Sequence, residues 1–228
     1  MMLKLSPLIL ALLYGFAVYQ VSVWRTRRAL DRKSTELAEP RLRAVCDKLA
    51  RALELPRIKV HVYEIAPVNG LAAPDGRIFL TRGFLERYAS GAVTAEEIAS
   101  VVAHELGHVA LGHSRRRMVD FSAQNALRTA LAAVLSRIIP GFGGMIAAGL
   151  ARLVAARISR VDEYEADAYA SALMIKAGLG TAPQKSLLSK LDNLAGVGGA
   201  TPAWLMSHPK TEARLKAIEA NEAKWLKA

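Results

Sequence analysis

With one cysteine in 228 residues, Cys46, the chain can form neither a disulfide framework nor a site built on several thiolates. Any metal it holds must be bound by histidine and carboxylate. Aromatic residues are sparse, at 6%, and no aromatic-basic RNA motif or DNA-recognition signature is present, so no nucleic-acid partner is expected despite a net charge of +11. Acidic residues are missing altogether between Phe121 and Val161, where the charges are Arg128, Arg137, Arg152, Arg157 and Arg160. Arginines set beside apolar segments suit an anionic membrane surface better than a nucleic acid. An apolar fraction of 52% excludes disorder, collagen and low-complexity scaffolds, and the length leaves room for one catalytic domain and a short appendage.

Charge is also absent from Leu5 to Trp24, a stretch that as a helix reaches about 30 Å, the thickness of a hydrocarbon core. This reads as an uncleaved membrane-spanning helix. The competing reading, a removable signal peptide, requires an apolar region of ~7 to 15 residues followed by a small-residue cleavage site. Tyr19, Gln20, Val23 and Trp24 offer no such site. Lys4 and the amino terminus lie on one side of the span, while Arg25, Arg27, Arg28, Arg32 and Lys33 crowd the other. The positive-inside tendency then puts the bulk of a single-pass protein in the cytoplasm, with a periplasmic or extracellular domain as the alternative. The chain divides into an anchor and basic flank at 1–35 and one domain at 36–228.

Within that domain, Leu42, Val45, Cys46, Leu49 and Leu53 recur at helical spacing behind Pro40, predicting an amphipathic helix with Cys46 in the core. Ile58, Val60 and Val62 alternate with Arg57, Lys59 and His61, and a second β-rich run, Arg77 to Thr81, follows the turn residues around Gly76. A small sheet is expected, and its second strand could offer an edge to an extended peptide. His61 falls on the polar face of its strand and reads as solvated or hydrogen-bonded. Thr94 and Glu97 have capping-box spacing, which opens a long helix that should continue to about Met118. Leu127, Leu131, Val134, Leu135 and Ile138 form one stripe of a further helix, broken by Pro140 and the 141–144 loop. Arg128 and Arg137 flank that stripe, so this region fits either a core helical hairpin or helices lying in a membrane interface. A C-terminal amphipathic helix runs from near Pro209 through Leu215, Ile218 and Trp225. The fold class is mainly α with a small β-sheet, α+β.

Chemistry concentrates in His104-Glu-Leu-Gly-His108. Two histidines four residues apart lie about 40° from one another on a helix, so both imidazoles can reach one zinc ion at about 2.0–2.1 Å. Glu105 is offset by about 100°, which places its carboxylate beside the metal, where it can take a proton from an activated water. A third ligand is required. His113 lies on the opposite face if the helix continues, and reads as a surface or second-layer residue. A better candidate is the acidic helix around Glu163 and Asp167, which share a face at i and i+4, while Glu165 points away. Glu163 can bind zinc while Asp167 accepts the free N–H of a ligating imidazole; the bland reading is a solvated acidic helix.

These residues resemble metallopeptidase family forty-eight, the membrane-associated zinc endopeptidases that include HtpX-like quality-control proteases and the CAAX prenyl endopeptidase. The likeness extends to residues 68–83 and to Ser207-His-Pro-Lys-Thr-Glu-Ala-Arg214, covering roughly residues 40 to 220 in the family's order. It implies a gluzincin-type domain with one zinc per chain held by His104, His108 and Glu163, and Glu105 as catalytic base. It also places His208 and Arg214 at the cleft and Asn69 near a polypeptide substrate. Taken without the family, His208 ahead of a proline-started helix can donate to a developing oxyanion or serve as a capping residue, and Arg214 reads as a solvated helix residue. The chain departs from multi-span members by its single span, and it carries no appended repeat array.

The implied reaction is peptide-bond hydrolysis, in which Glu105 removes a proton from the attacking water and delivers it to the departing amine, serving protein quality control. The rival is a membrane-tethered, chaperone-like protein with a structural zinc site. Structural sites have four protein ligands, whereas the sequence offers three good ones.

Overall fold

The computed structural model describes residues 6–73, 75–113, 129, 131–191, 208 and 212–225. Its elements run α1 (Ser6–Arg32), β1 (Ser34–Glu36), α2 (Pro40–Ala52), β2 (Val60–Tyr63), β3 (Gly70–Ala72), β4 (Ile78–Thr81), α3 (Arg82–Ala89), α4 (Ala95–Ala110), α5 (Gly143–Lys176), α6 (Ala182–Lys190) and α7 (Glu212–Trp225). The protein is mainly helical with one small mixed sheet.

Strand order is β1-β2-β4-β3, with β2 and β4 parallel and the other neighbours antiparallel. This corrects the expectation that the strand after Gly76 presents an edge. That strand is β4, paired on both sides and buried at all four residues, because Ile78, Phe79 and Leu80 supply apolar groups to both faces. The outer strand on that side is β3, too short and too weakly patterned to be seen in the sequence.

Behind the sheet, α2 buries Leu42, Val45, Cys46 and Leu49, as its spacing predicts, against a core shared with Ile98, Val101 and Val102 of α4. Burial pushes the Cys46 thiol up to about 12, which makes it an inert packing residue. His61 stacks on Phe79 with ring centroids 5.2 Å apart, outside the chemistry.

Helix α4 begins with the expected capping box. The Thr94 hydroxyl accepts from the Glu97 amide at 3.2 Å, and the Glu97 carboxylate accepts from the Thr94 amide at 2.8 Å. Ser186 and Lys190 of α6 also donate to that carboxylate, so the cap is fastened to a neighbouring helix. From Glu97 to His108 every residue is buried, which makes α4 the central helix of the domain. It ends at Ala110, well before Met118, because Gly112 adopts φ +66° just past the C-cap and interrupts the helix, which resumes at His113. Residues 114–118 of the expected helix lie outside the described residues.

Residues 131–138 are helical, and the chain breaks around Pro140 and Gly141 before α5, as read from the sequence. Leu127 and Arg128 lie outside the described residues. Val134, Ile138, Phe142, Met145, Leu150 and Leu153 are all exposed, so these described residues do not pack as a core hairpin. Apolar side chains are likewise exposed on α1, at Leu13, Tyr14, Phe16, Val21 and Trp24. The other end of α1 is tied to the domain by Leu30, packed with Ala73 and Phe79, and by an Asp31–Arg77 ion pair at 2.7 Å. Among the described residues no helix is long and apolar enough to cross a membrane.

Candidate active site

Helices α4 and α5 touch where neither has a bulky side chain. A Cβ built on Gly107 would lie 3.1 Å from the Cα and carbonyl oxygen of Ala166, an approach that even a methyl group would crowd. Flanking this contact, His104 and His108 project from α4, and Glu163 and Asp167 project from α5. All four are buried. Buried polar groups in such number must satisfy one another, and they do so around one point.

The Nε2 atoms of His104 and His108 are 3.2 Å apart, and Glu163 oxygens lie 3.4 Å and 3.5 Å from them respectively. His208 Nδ1 is 3.2 Å from His104 Nε2 and 2.9 Å from Glu163 Oε2. A tetrahedron with ligand distances of 2.0–2.1 Å has edges of about 3.3 Å, so these donors already stand near the corners of a zinc-sized site. The donor set His104, His108, Glu163 and His208 fits a divalent ion of borderline softness. Nitrogen and carboxylate ligands in this geometry favour zinc over magnesium or calcium.

The sequence placed His208 at the cleft through resemblance, and the structure puts it among the donors themselves. Glu105 is buried beside them, with Oε1 3.5 Å from His208 Nε2. It offers no atom to the four-residue cluster, as its offset on the helix requires.

Behind His104 stands a carboxylate clamped by a guanidinium. His104 Nδ1 donates to Asp167 Oδ1 at 3.0 Å, while Arg214 of α7 grips Asp167 through Nε at 2.6 Å and Nη2 at 2.8 Å. Arg214 also donates to the His208 carbonyl at 3.3 Å, so one side chain orients both a carboxylate and the backbone of a donor. The solvated reading of Arg214 is therefore wrong: it is 2% exposed. Helical periodicity on α7 could not reveal this, because the partner is 47 residues away.

The electrostatics follow from burial and pairing. Burial works against a charged His104, yet the Asp167 and Glu163 carboxylates overcome it and the pKa is pushed up to about 9. His108 moves the other way, down to about 2, through burial and then the neighbouring His104 charge. For Glu163, burial favours the neutral acid, but hydrogen bonds from His104 and His208 hold the carboxyl well below its usual range. Asp167 is likewise buried, and Arg214 and His104 hold it low.

Glu165, expected to point away from Glu163, does so and meets His113 instead, at 3.0 Å. His113 is buried in a second layer behind His108; it is not a surface residue. Asn69 directly precedes β3, where Thr81 Oγ1 is 2.9 Å from its amide and 3.1 Å from its carbonyl oxygen. Its side-chain Oδ1 is buried without a hydrogen-bond partner among the described residues.

Comparison with known proteins agrees with this site. The chain is 32% identical over 182 residues to the metalloprotease YcaL of Escherichia coli strain K12, covering 78% of this chain and 67% of that protein. It is 28% identical over 179 residues to the metalloprotease LoiP of the same strain, covering 78% and 68%. A more distant relative is the mitochondrial metalloendopeptidase OMA1 of Schizosaccharomyces pombe, 26% identical over 174 residues and covering 74% and 46%. The model of Peptidase family M48 matches residues 36–222, which include every donor of the cluster and the carboxylate beside it. The chain belongs to Peptidase family M48, and it is a metal-dependent endopeptidase.

Proposed function

We propose that the metal is zinc, one per chain, that His104, His108 and Glu163 hold it, and that Glu105 is the general base for hydrolysis of polypeptides. The observation that carries this reading is the near-tetrahedral set of donor atoms, with edges of 2.9 to 3.5 Å, beside a buried carboxylate that is not one of them. Zinc bound there would polarise the scissile carbonyl and acidify water. Glu105 takes a proton from the attacking water and passes it to the departing amine. Asp167, clamped by Arg214, holds the His104 ring with its Nε2 toward the other donors. His208 can donate to the developing oxyanion.

Four protein donors are also what a structural zinc site has, and His208 supplies the fourth. A buried Glu105 beside the donors supports the hydrolytic reading, since a structural site has no use for a base there. Hydrolysis needs a place for water among these donors. His208, carried outside α4 and α5, is the side chain that must yield it.

Substrate recognition fits the sheet edge. An extended peptide can pair with β3 backbone to backbone, with Asn69 at the start of that strand. Backbone pairing tolerates many sequences, which suits quality control.

The anchor at 1–35 and the peptidase domain at 36–228 complete the proposal. Exposed apolar residues on α1, and at Ile138, Phe142 and Met145 near the start of α5, support a membrane-attached enzyme. The charge asymmetry on either side of residues 5–24 favours a cytoplasmic catalytic domain, with a periplasmic or extracellular one as the alternative. Zinc quantification with casein cleavage, with and without a chelator, tests the enzymatic reading. Zinc uptake without chelator-sensitive cleavage would leave the structural site standing.

A further inference from the structure

The early stop of α4 turns His113 back onto the metal-binding cluster from behind. Its ring is buried, and its Nδ1 lies 2.7 Å from His108 Nδ1. Its other nitrogen, Nε2, is 3.0 Å from Glu165 Oε2 on α5. Two ring nitrogens 2.7 Å apart share one hydrogen, so one donates and the other accepts. The far side of His108 sets the direction. Its Nε2 faces His104 Nε2 at 3.2 Å and Glu163 Oε1 at 3.5 Å, and a nitrogen that ligates an ion must keep its lone pair. The hydrogen of His108 therefore sits on Nδ1 and is donated to His113. The hydrogen of His113 then sits on Nε2 and is donated to the Glu165 carboxylate.

We infer that His113, anchored by Glu165, is a positioning residue that fixes the tautomer and ring orientation of His108 as a metal ligand. The inference rests on the zinc reading above. It makes the two ligating imidazoles unequal: His104 is held directly by a carboxylate that Arg214 clamps, whereas His108 is held by a neutral imidazole that relays to a carboxylate 41% exposed. The competing arrangement is a second ion, because His113, Asp162 and Glu165 bring donor atoms within 4.8 Å of one another. In the relay tautomer His113 has no lone pair left for one, since Nδ1 accepts from His108 and Nε2 carries the hydrogen.

The test compares the full-length wild type with His113→Leu, His113→Gln and Glu165→Ala. The readouts are zinc affinity by chelator competition, metal stoichiometry, and the visible absorption of the cobalt-loaded proteins. His113→Leu should weaken zinc by about 10–100-fold and shift the cobalt bands. His113→Gln, whose amide can accept on one side and donate on the other, should stay within a few-fold of wild type. Glu165→Ala, at a partly exposed side chain, should weaken zinc to an intermediate degree. Wild-type affinity in His113→Leu, a Gln variant no better than Leu, or a second zinc lost in His113→Leu overturns the relay. Should His113→Leu fail to fold, the other two variants decide: Glu165→Ala must bind zinc more weakly than His113→Gln. A wild-type chain that takes up no zinc overturns the zinc reading itself, whereas tight wild-type binding unchanged in His113→Leu overturns the relay alone.

Discussion

Gly107 of α4 faces Ala166 of α5 so closely that an added Cβ would meet the Ala166 backbone at 3.1 Å and Tyr169 Cβ at 3.2 Å. Both small residues lie inside the motifs that supply ligands: Gly107 precedes His108, and Ala166 lies between Glu163 and Asp167. Helix separation here sets the distance between histidine and carboxylate donors. Gly107→Val should therefore cost about 1–3 kcal/mol of stability by overpacking and, by prising the helices apart, weaken zinc binding as well. Gly107→Ala, which asks its neighbours to give by only a few tenths of an ångström, should lose much less of both. Denaturant midpoints and zinc titrations on the two variants check this. A Gly107→Val protein with wild-type zinc affinity would show that the helix contact does not set the site.

Glu105 and the ligands should separate by phenotype. Glu105→Gln keeps the size of the side chain and leaves the cluster of donors intact, so it should retain zinc while casein cleavage falls by at least about 100-fold. His104→Ala and Glu163→Ala each remove a donor and should lose both metal and cleavage. Zinc content measured alongside activity distinguishes the classes. Wild-type turnover by Glu105→Gln would rule out the base assignment.

Arg214 lies outside the donor set yet holds both Asp167 and the His208 backbone. Arg214→Ala leaves the Asp167 carboxylate buried without its bidentate partner, a change that should destabilise the protein by about 3–5 kcal/mol. The paired change Arg214→Met with Asp167→Leu removes both charges and should recover much of that stability, yet zinc affinity should stay low, because His104 has lost its acceptor. Recovery of zinc binding along with stability would mean that the pair serves the fold alone.

The sequence made some parts of this protein legible and hid others for identifiable reasons. Local signals held: Thr94 and Glu97 form the capping box, the α2 stripe is buried, and Glu163 and Asp167 share a helix face with Glu165 turned away. Long-range placement did not show through. Helical spacing alone puts His113 on the far side of a continuous helix, whereas Gly112, a glycine just past a helical run, interrupts that helix. β1 and β3 are three residues each, too short for alternation to register. The edge assigned to the β4 segment depended on strand order, which periodicity does not contain.

The two histidines of the motif also give the metal-free protein a distinctive pH dependence. His104 is raised from the ordinary 6.5 to about 9, so its charged form stabilises the fold. That contribution is complete below pH 6.5 and is lost as pH rises toward 9. His108 is lowered from 6.5 to about 2, so its neutral form is the one the fold accepts; its contribution is complete above pH 6.5 and is lost as pH falls. The opposed slopes predict a stability maximum near pH 6.5. The lowered carboxyls of Glu163 and Asp167 steepen the acid limb once pH drops below their ordinary range. Zinc takes both imidazoles in their neutral form, so loading the site should remove the alkaline decline and leave the acid limb, where protons compete with the metal. Urea midpoints from pH 5 to pH 9, with chelator and with excess zinc, read this directly. A metal-free midpoint that climbs steadily across the range would show that His104 is not held in its charged form by Asp167 and Glu163.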